Sequence, residues 1–331
     1  MTQTDTASPI LSVRDLRTYF RTDDGVVKAV DGVSFDLYPG ETLGIVGESG
    51  SGKTVTCLSA MRLIPEPQGY YPSGQIWLGN ADLLRAGPRE LVALRGKTMS
   101  MIFQDPMTSL NPFLRISRQL TEVLECHQGL SRKEARQRSI EMLSRVGIPD
   151  AERRIDQYPH QFSGGMRQRV MIAMALLCEP RVLIADEPTT ALDVTIQAQI
   201  LDLILDLKRD FKTSVILITH DLGVVAGTTE RLLVMYAGRI VEEGPTAAVF
   251  ATPSHPYTRG LLRSVPRLDE SRSETLQAIP GLPPDLSALP SGCPFHPRCA
   301  AASERCRREF PPVVAISSEH RAACWELEGN A

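Results

Sequence analysis

The chain has 331 residues, 42% hydrophobic and 23% charged, with a formal net charge of -3. That length exceeds what one hydrophobic core usually organises, so one large domain with an appendage is expected. The charge balance gives no global reason to expect nucleic acid as a partner. The N-terminus, MTQTDTASPILSVRDL, has neither a basic start nor an apolar core, which excludes a signal peptide. The longest unbroken apolar run, VMIAMALLC from Val170 to Cys178, is far shorter than the roughly 20 residues a membrane span needs. The chain is therefore expected in the cytosol or docked on a membrane partner. In that reducing setting, closely spaced cysteines point to metal before disulfide.

Up to about residue 245 the chain reads as alternating β and α segments, a doubly wound α/β core. TLGIVG, residues 42–47, is nearly continuous in apolar residues, as buried parallel strands are. It leads into GESGSGKT, residues 47–54, which matches G-x-x-x-x-G-K-[ST] in the strand–loop–helix setting of a phosphate-binding loop. Across Gly47, Ser49, Gly50, Ser51 and Gly52 the glycines let the backbone curl, so that N–H groups converge on phosphate oxygens. Lys53 can reach the terminal phosphates, and the Thr54 hydroxyl can ligate Mg²⁺.

A more polar stretch from Asp105 to Ile155 interrupts the strand pattern and reads as an inserted helical subdomain, with Ser131 as a helix N-cap. QFSGGMRQRVMIAMAL, residues 161–176, follows it. Ser163 offers a hydroxyl, Gly164 and Gly165 offer close backbone approach, and a helix starts at once, making a second anion cradle. One nucleotide does not need two cradles from one chain, whereas two chains head-to-tail would use both. RVLIAD, residues 181–186, then ends in Asp186 and Glu187. The first can hold a Mg²⁺-bound water and the second can polarise an attacking water. A helix over Ala198–Lys208 puts Ile200, Leu203, Ile204 and Leu207 on one face, and SVILIT and RLLVMY read as further buried strands.

From Gly244 onward 12 of the chain's 24 prolines fall in 88 residues, so a loop-rich extension is expected. It carries Cys293, Cys299, Cys306 and Cys324, spaced C-x5-C-x6-C-x17-C. These gaps are longer than the usual zinc pairs, and four thiolates also suit an iron–sulfur cluster. Zinc, a cluster and unligated thiols all stay open on spacing alone. Arg298, Arg305, Arg307 and Arg308 read as a solvated basic face, and Cys57, Cys126 and Cys178 as packing residues.

The stretch at residues 161–176 resembles the signature motif of ATP-binding cassette (ABC) ATPases, and the other motifs agree in order. The resemblance implies that Gln104 in IFQD contacts Mg²⁺ and the attacking water, and that Asp193 in ALDV is the D-loop aspartate. It also implies that His220 in LITHD contacts the γ-phosphate, and that Phe20, with Tyr19 as the alternative, stacks on adenine. One departure is that Phe162–Met166 reads FSGGM where the commonest form is LSGGQ, but the phosphate-facing Ser-Gly-Gly is intact.

The FSGGMRQR form, FQDPMTSLNPF and HPYTRGLL together resemble the ATPase subunits of dipeptide, oligopeptide and nickel importers. On that resemblance the fold is a P-loop ABC ATPase core over 1–104 and 176–245, with a helical subdomain at 105–175 and an extension at 246–331. The expected substrate is ATP with Mg²⁺. The expected partners are two integral membrane permease subunits, a second, paralogous ATPase subunit and, indirectly, an extracytoplasmic solute-binding protein, with no nucleic acid. The expected place is peripheral, on the cytoplasmic side of the membrane. The form GCPFHPRC recurs in that family and is associated with a [4Fe–4S] cluster, which assigns Cys293, Cys299, Cys306 and Cys324 as its ligands. A soluble ABC ATPase of repair or translation is disfavoured, because the chain has no long coiled coil and no second cassette. A nucleic-acid-binding C-terminal module is disfavoured by its few aromatics, Phe295, Phe310 and Trp325.

Overall fold

Two long strands, Leu11–Thr22 and Gly25–Leu37, begin the ordered architecture. The computed structural model describes residues 8–190, 192–264 and 279–328, so the first seven residues, on which the N-terminal reading partly rests, lie outside it. Leu11 and Val13 are buried, then Leu16 and Thr18. The alternation slips by one residue at Asp15, whose φ of 42° lets the strand bulge and keeps both pairs on the core side. Leu11–Thr22 pairs antiparallel with Gln75–Leu78, in register Leu11↔Leu78, and with Gly69–Tyr70. This antiparallel sheet departs from the expected strict β/α alternation.

The described residues divide into two compact units. One is built from 11–36, 42–84 and 218–331. In it the fully buried strand Thr42–Val46 runs parallel to Arg231–Tyr236. Arg231–Tyr236 in turn pairs antiparallel with Arg239–Pro245. The other unit holds 8–10, 37–41 and 85–217. Its strands Met99–Ile102 and Val182–Asp186 are parallel and buried along their whole length. The polar stretch after Asp105 forms helices at Pro106–Ser109, Ile116–Gln128, Arg132–Arg145 and Ala151–Arg154. Ser131 caps the third through a reciprocal capping box with Glu134. The amphipathic segment expected at 198–208 lies within the helix Val194–Phe211, with Ile200, Ile204 and Leu207 buried.

The extension holds more regular structure than its prolines indicate, although 265–278 lie outside the described residues. Helices Thr246–Ala251 and Pro256–Arg263 are followed by a hairpin, Val313–Ala315 with Arg321–Ala323, that adds to the edge of Arg239–Pro245. Tyr257 and Phe295 join a core cluster with Val234 and Tyr236. The Tyr236 and Tyr257 ring centroids lie 4.6 Å apart. Buried Glu242 accepts from the amides of Ser254 and His255 at 2.8 and 2.9 Å, and its Oε1 lies 2.8 Å from His320 Nε2. Cys57 and Cys178 are buried as expected of packing residues, but Cys126 is exposed. The arginine reading also needs correction, because Arg298 is buried while Arg305, Arg307 and Arg308 are exposed.

His255 gives a pH prediction. Its Nδ1 accepts from Tyr257 N at 3.0 Å, capping the helix Pro256–Arg263, and so must be unprotonated. Burial, with Arg259 adding repulsion, pulls its pKa down to about 3 from 6.5. The unfolded chain thus binds a proton that the folded one refuses. The stability from this group is complete above pH 6.5 and is lost as pH falls towards 3, by about 1.4 kcal/mol per pH unit at most. Urea titrations at pH 7.5 and 5.5 should show that loss, and His255→Asn, which can still cap, should flatten it.

Candidate functional site

The strand Thr42–Val46 delivers the chain to Gly47, and the helix Lys53–Ala60 receives it at Gly52. Only glycine fits at these two ends. At φ 153° a Cβ on Gly47 would lie 2.2 Å from Met235 O, and at φ 101° one on Gly52 would lie 2.3 Å from Ala29 O. The turn at Gly238 braces the loop, donating to Ser51 O at 2.9 Å and accepting from Asp31 N at 2.8 Å. Lys53 is buried, its Nζ donating to Gly47 O at 2.7 Å and Glu48 O at 3.0 Å. Ser51 Oγ is buried with no hydrogen-bond partner among the described residues, and no side chain caps the helix that starts at Lys53. A glycine-shaped loop at a helix start, with an unanswered Ser51 hydroxyl and a retained ammonium, is complementary to phosphate.

The acid-bearing strand ends in buried Asp186. Glu187 follows with φ 45°, a left-handed conformation that non-glycine residues adopt at some energetic cost. Its Oε2 accepts from Gln104 Nε2 at 2.9 Å and from Thr190 Oγ1 at 2.9 Å. Two residues predicted from separate motifs, Gln104 and Glu187, are therefore in direct contact. Thr190 was not singled out from the sequence. Its place three residues past a Glu that ends a strand is the signal that could have found it.

Ser163 caps the helix Gly164–Leu176, its hydroxyl accepting from Met166 N at 3.3 Å. The departure at Met166 leaves that bond intact, since only backbone is used. Gly164 is exposed, and a Cβ there would meet nothing within 4 Å, so this chain's own packing does not require glycine. Gly165 is tighter, at 3.2 Å from Ile196 Cγ2. Gln168 donates to Pro188 O at 2.6 Å, tying this helix to the segment after Glu187. Asp193 precedes the helix Val194–Phe211, exposed and making no side-chain cap bond.

His220 is exposed after the strand Ser214–Ile218, and Asp221 next to it caps the following helix. Phe20 is half-buried opposite Gly69. Tyr19, the alternative aromatic, gives its hydroxyl to Asp31 at 2.7 Å, and burial with that bond raises its pKa to about 12.

Cys293, Cys299, Cys306 and Cys324 line one small cavity with Phe295 and Trp325. Cys293 N donates to Cys306 O at 2.8 Å. Burial pushes Cys293 up to about 11 and also raises Cys299 and Cys324, so these thiols are neutral near pH 7. Among the described residues, no group of three or more His, Cys, Asp or Glu is placed to hold a metal ion. The expected metal site is thus a gathering of four thiols and not an assembled ion site. Among the described residues, no helix is long and apolar enough to cross a membrane.

Comparison with known proteins matches residues 30–190 to the ABC transporter family and residues 241–306 to the oligopeptide/dipeptide transporter C-terminal region. The chain is 55% identical over 322 residues to the dipeptide transport ATP-binding protein DppD of Bacillus subtilis, covering 97% of this chain and 96% of that one. To the oligopeptide transport ATP-binding protein OppD of Salmonella typhimurium it is 54% identical over 320 residues, covering 97% and 94%. Among solved structures, the dimeric post-hydrolysis state of the cassette MJ0796 bound to ADP and Pi matches with a TM-score of 0.63 at 27% identity, covering 71% of this chain and 98% of that one.

Proposed function

The chain belongs to the ABC transporter ATP-binding family, in the branch that carries the oligopeptide/dipeptide transporter C-terminal region, and from that premise we infer that it is the ATP-hydrolysing subunit of a peptide importer. It works peripherally at the cytoplasmic face of the membrane with permease subunits, and uses ATP with Mg²⁺. The observation that carries this reading is the phosphate loop, where buried Lys53 and the unanswered Ser51 hydroxyl stand at the start of one helix.

In this reading Lys53 leaves the loop carbonyls for the β- and γ-phosphates. Thr54 and Gln104 would hold Mg²⁺ and Asp186 would hold a water bound to it, and the ion would offset phosphate charge when bound. Glu187, oriented by Gln104 and Thr190, accepts the proton of the attacking water. His220 steadies the γ-phosphate, and Phe20 stacks on adenine. Ser163, Gly164 and Gly165, with Asp193, close over the nucleotide of a second, paralogous cassette. The open space above Gly164 supports that role, because close approach from outside explains a glycine that the chain itself does not need. Two permease subunits and an extracytoplasmic solute-binding protein complete the assembly. Division at 104, 175 and 245 remains the domain reading that goes with these roles.

The four-cysteine segment is proposed to hold a [4Fe–4S] cluster through Cys293, Cys299, Cys306 and Cys324. The support for it is the four thiols on one cavity wall, together with a cluster's need for four Cys ligands.

The functional test is co-expression with the permease genes that neighbour this one. The expected result is a membrane complex whose ATP hydrolysis rises when peptide-loaded binding protein is added. Purification with nucleic acid and without membrane subunits would overturn the reading.

A further inference from the structure

The second residue of the phosphate loop, Glu48, is held by two side chains of the C-terminal extension. Its amide donates to Tyr257 Oη at 2.8 Å, and its carboxylate receives both arms of Arg298, at 2.6 and 2.9 Å. Its carbonyl is one of the two on which Lys53 rests. Arg298 lies on the single turn His296–Arg298, between Cys293 and Cys299. Its side chain is 5% exposed and is fixed in addition by Pro280 O at 2.9 Å. Tyr257 is fully buried against Tyr236 and Phe295, so its hydroxyl has little freedom to follow a moving loop.

We propose that Arg298 and Tyr257 are positioning residues for nucleotide binding, through which the four-cysteine segment sets the shape of the phosphate loop. Gly238 N holds the far end of the loop at Ser51 O, and Ser51 N in turn donates to Glu48 O at 3.2 Å, so at the near end the direction of the amides depends on what holds the Glu48 peptide. A two-armed guanidinium–carboxylate pair is the most directional ionic contact a protein makes, and here it is largely withdrawn from water. With the Glu48 peptide fixed at its amide and side chain, the loop is arranged for phosphate before the nucleotide arrives. Released, it must be ordered at the moment of binding, which weakens affinity without touching the chemical step.

The inference rests on the ATPase reading, and the test separates the two. Equilibrium titration of the full chain with MgATP is compared for wild type, Tyr257→Phe, Arg298→Ala, Arg298→Lys, Glu48→Ala and the Glu48→Ala/Arg298→Ala double variant. Arg298→Ala is expected to raise the dissociation constant about 10-fold, and Tyr257→Phe about 3-fold. Arg298→Lys should recover part of the loss, and the double variant should match Glu48→Ala alone, because the two side chains act as one contact. In the assembled transporter the same changes should raise KM for ATP while kcat at saturation stays within about twofold. Tyr257→Phe keeps the buried ring, so it reads the contact even if Arg298→Ala folds poorly. Unchanged affinity in Tyr257→Phe and Arg298→Lys, or additive losses in the double variant, would overturn the inference. A wild-type chain that binds no MgATP would overturn the functional reading as well.

Discussion

Glu187→Gln is expected to lower ATP turnover about 10²- to 10⁴-fold while leaving MgATP-dependent pairing of cassettes intact. The glutamine has the same shape and can keep one hydrogen bond in the frame made by Gln104 and Thr190, so the loop after Asp186 should hold its form. What it loses is the ability to take a proton from water. Binding and closure would proceed, hydrolysis would stall, and the closed pair would accumulate. Light scattering after gel filtration with MgATP should show the larger species at higher yield than for wild type. Near-normal turnover in this variant would remove Glu187 from the mechanism and shift attention to His220.

Replacing any one of Cys293, Cys299, Cys306 and Cys324 by Ser is expected to abolish a broad absorption at about 400–420 nm in protein purified without oxygen. Burial raises Cys293, Cys299 and Cys324, so loading must displace protons from them and should weaken as pH falls. Iron and sulfide analysis of the same samples gives an independent reading. A colourless, iron-free anaerobic wild-type preparation would end the cluster assignment. The extension already buries Tyr257 and Phe295 in the core, so it does not depend on metal for all of its folding energy, and the Ser variants should stay folded around that aromatic cluster.

The nucleotide motifs were legible in the sequence because each is a short contiguous stretch whose chemistry is local. Gly47 to Thr54 announces its loop through glycines at fixed offsets, and Val182–Asp186 announces a buried strand through an unbroken apolar run. The N-terminal antiparallel sheet was harder to see. The bulge at Asp15 breaks the two-residue alternation of Leu11–Thr22, and only the tertiary pairing with Gln75–Leu78 restores its sense. Thr190 was missed because a threonine after a strand is ordinary until Glu187 is seen to lean on it. Arg298 was misread for a similar reason. Its partner lies 250 positions earlier, and no local pattern separates it from the exposed arginines that follow.

The arrangement around Glu242 has a consequence for anyone recombining these proteins. A carboxylate only 1% exposed sits in the last core strand, yet the groups that satisfy it arrive from Ser254, His255 and His320. Cutting the gene after that strand, or grafting on another cassette's tail, strands a charge in a dry interior, which costs about 3–5 kcal/mol when a buried partner is removed. A chimera that respects this must carry the glutamate and its three donors as a set, so the natural crossover point lies upstream of the strand.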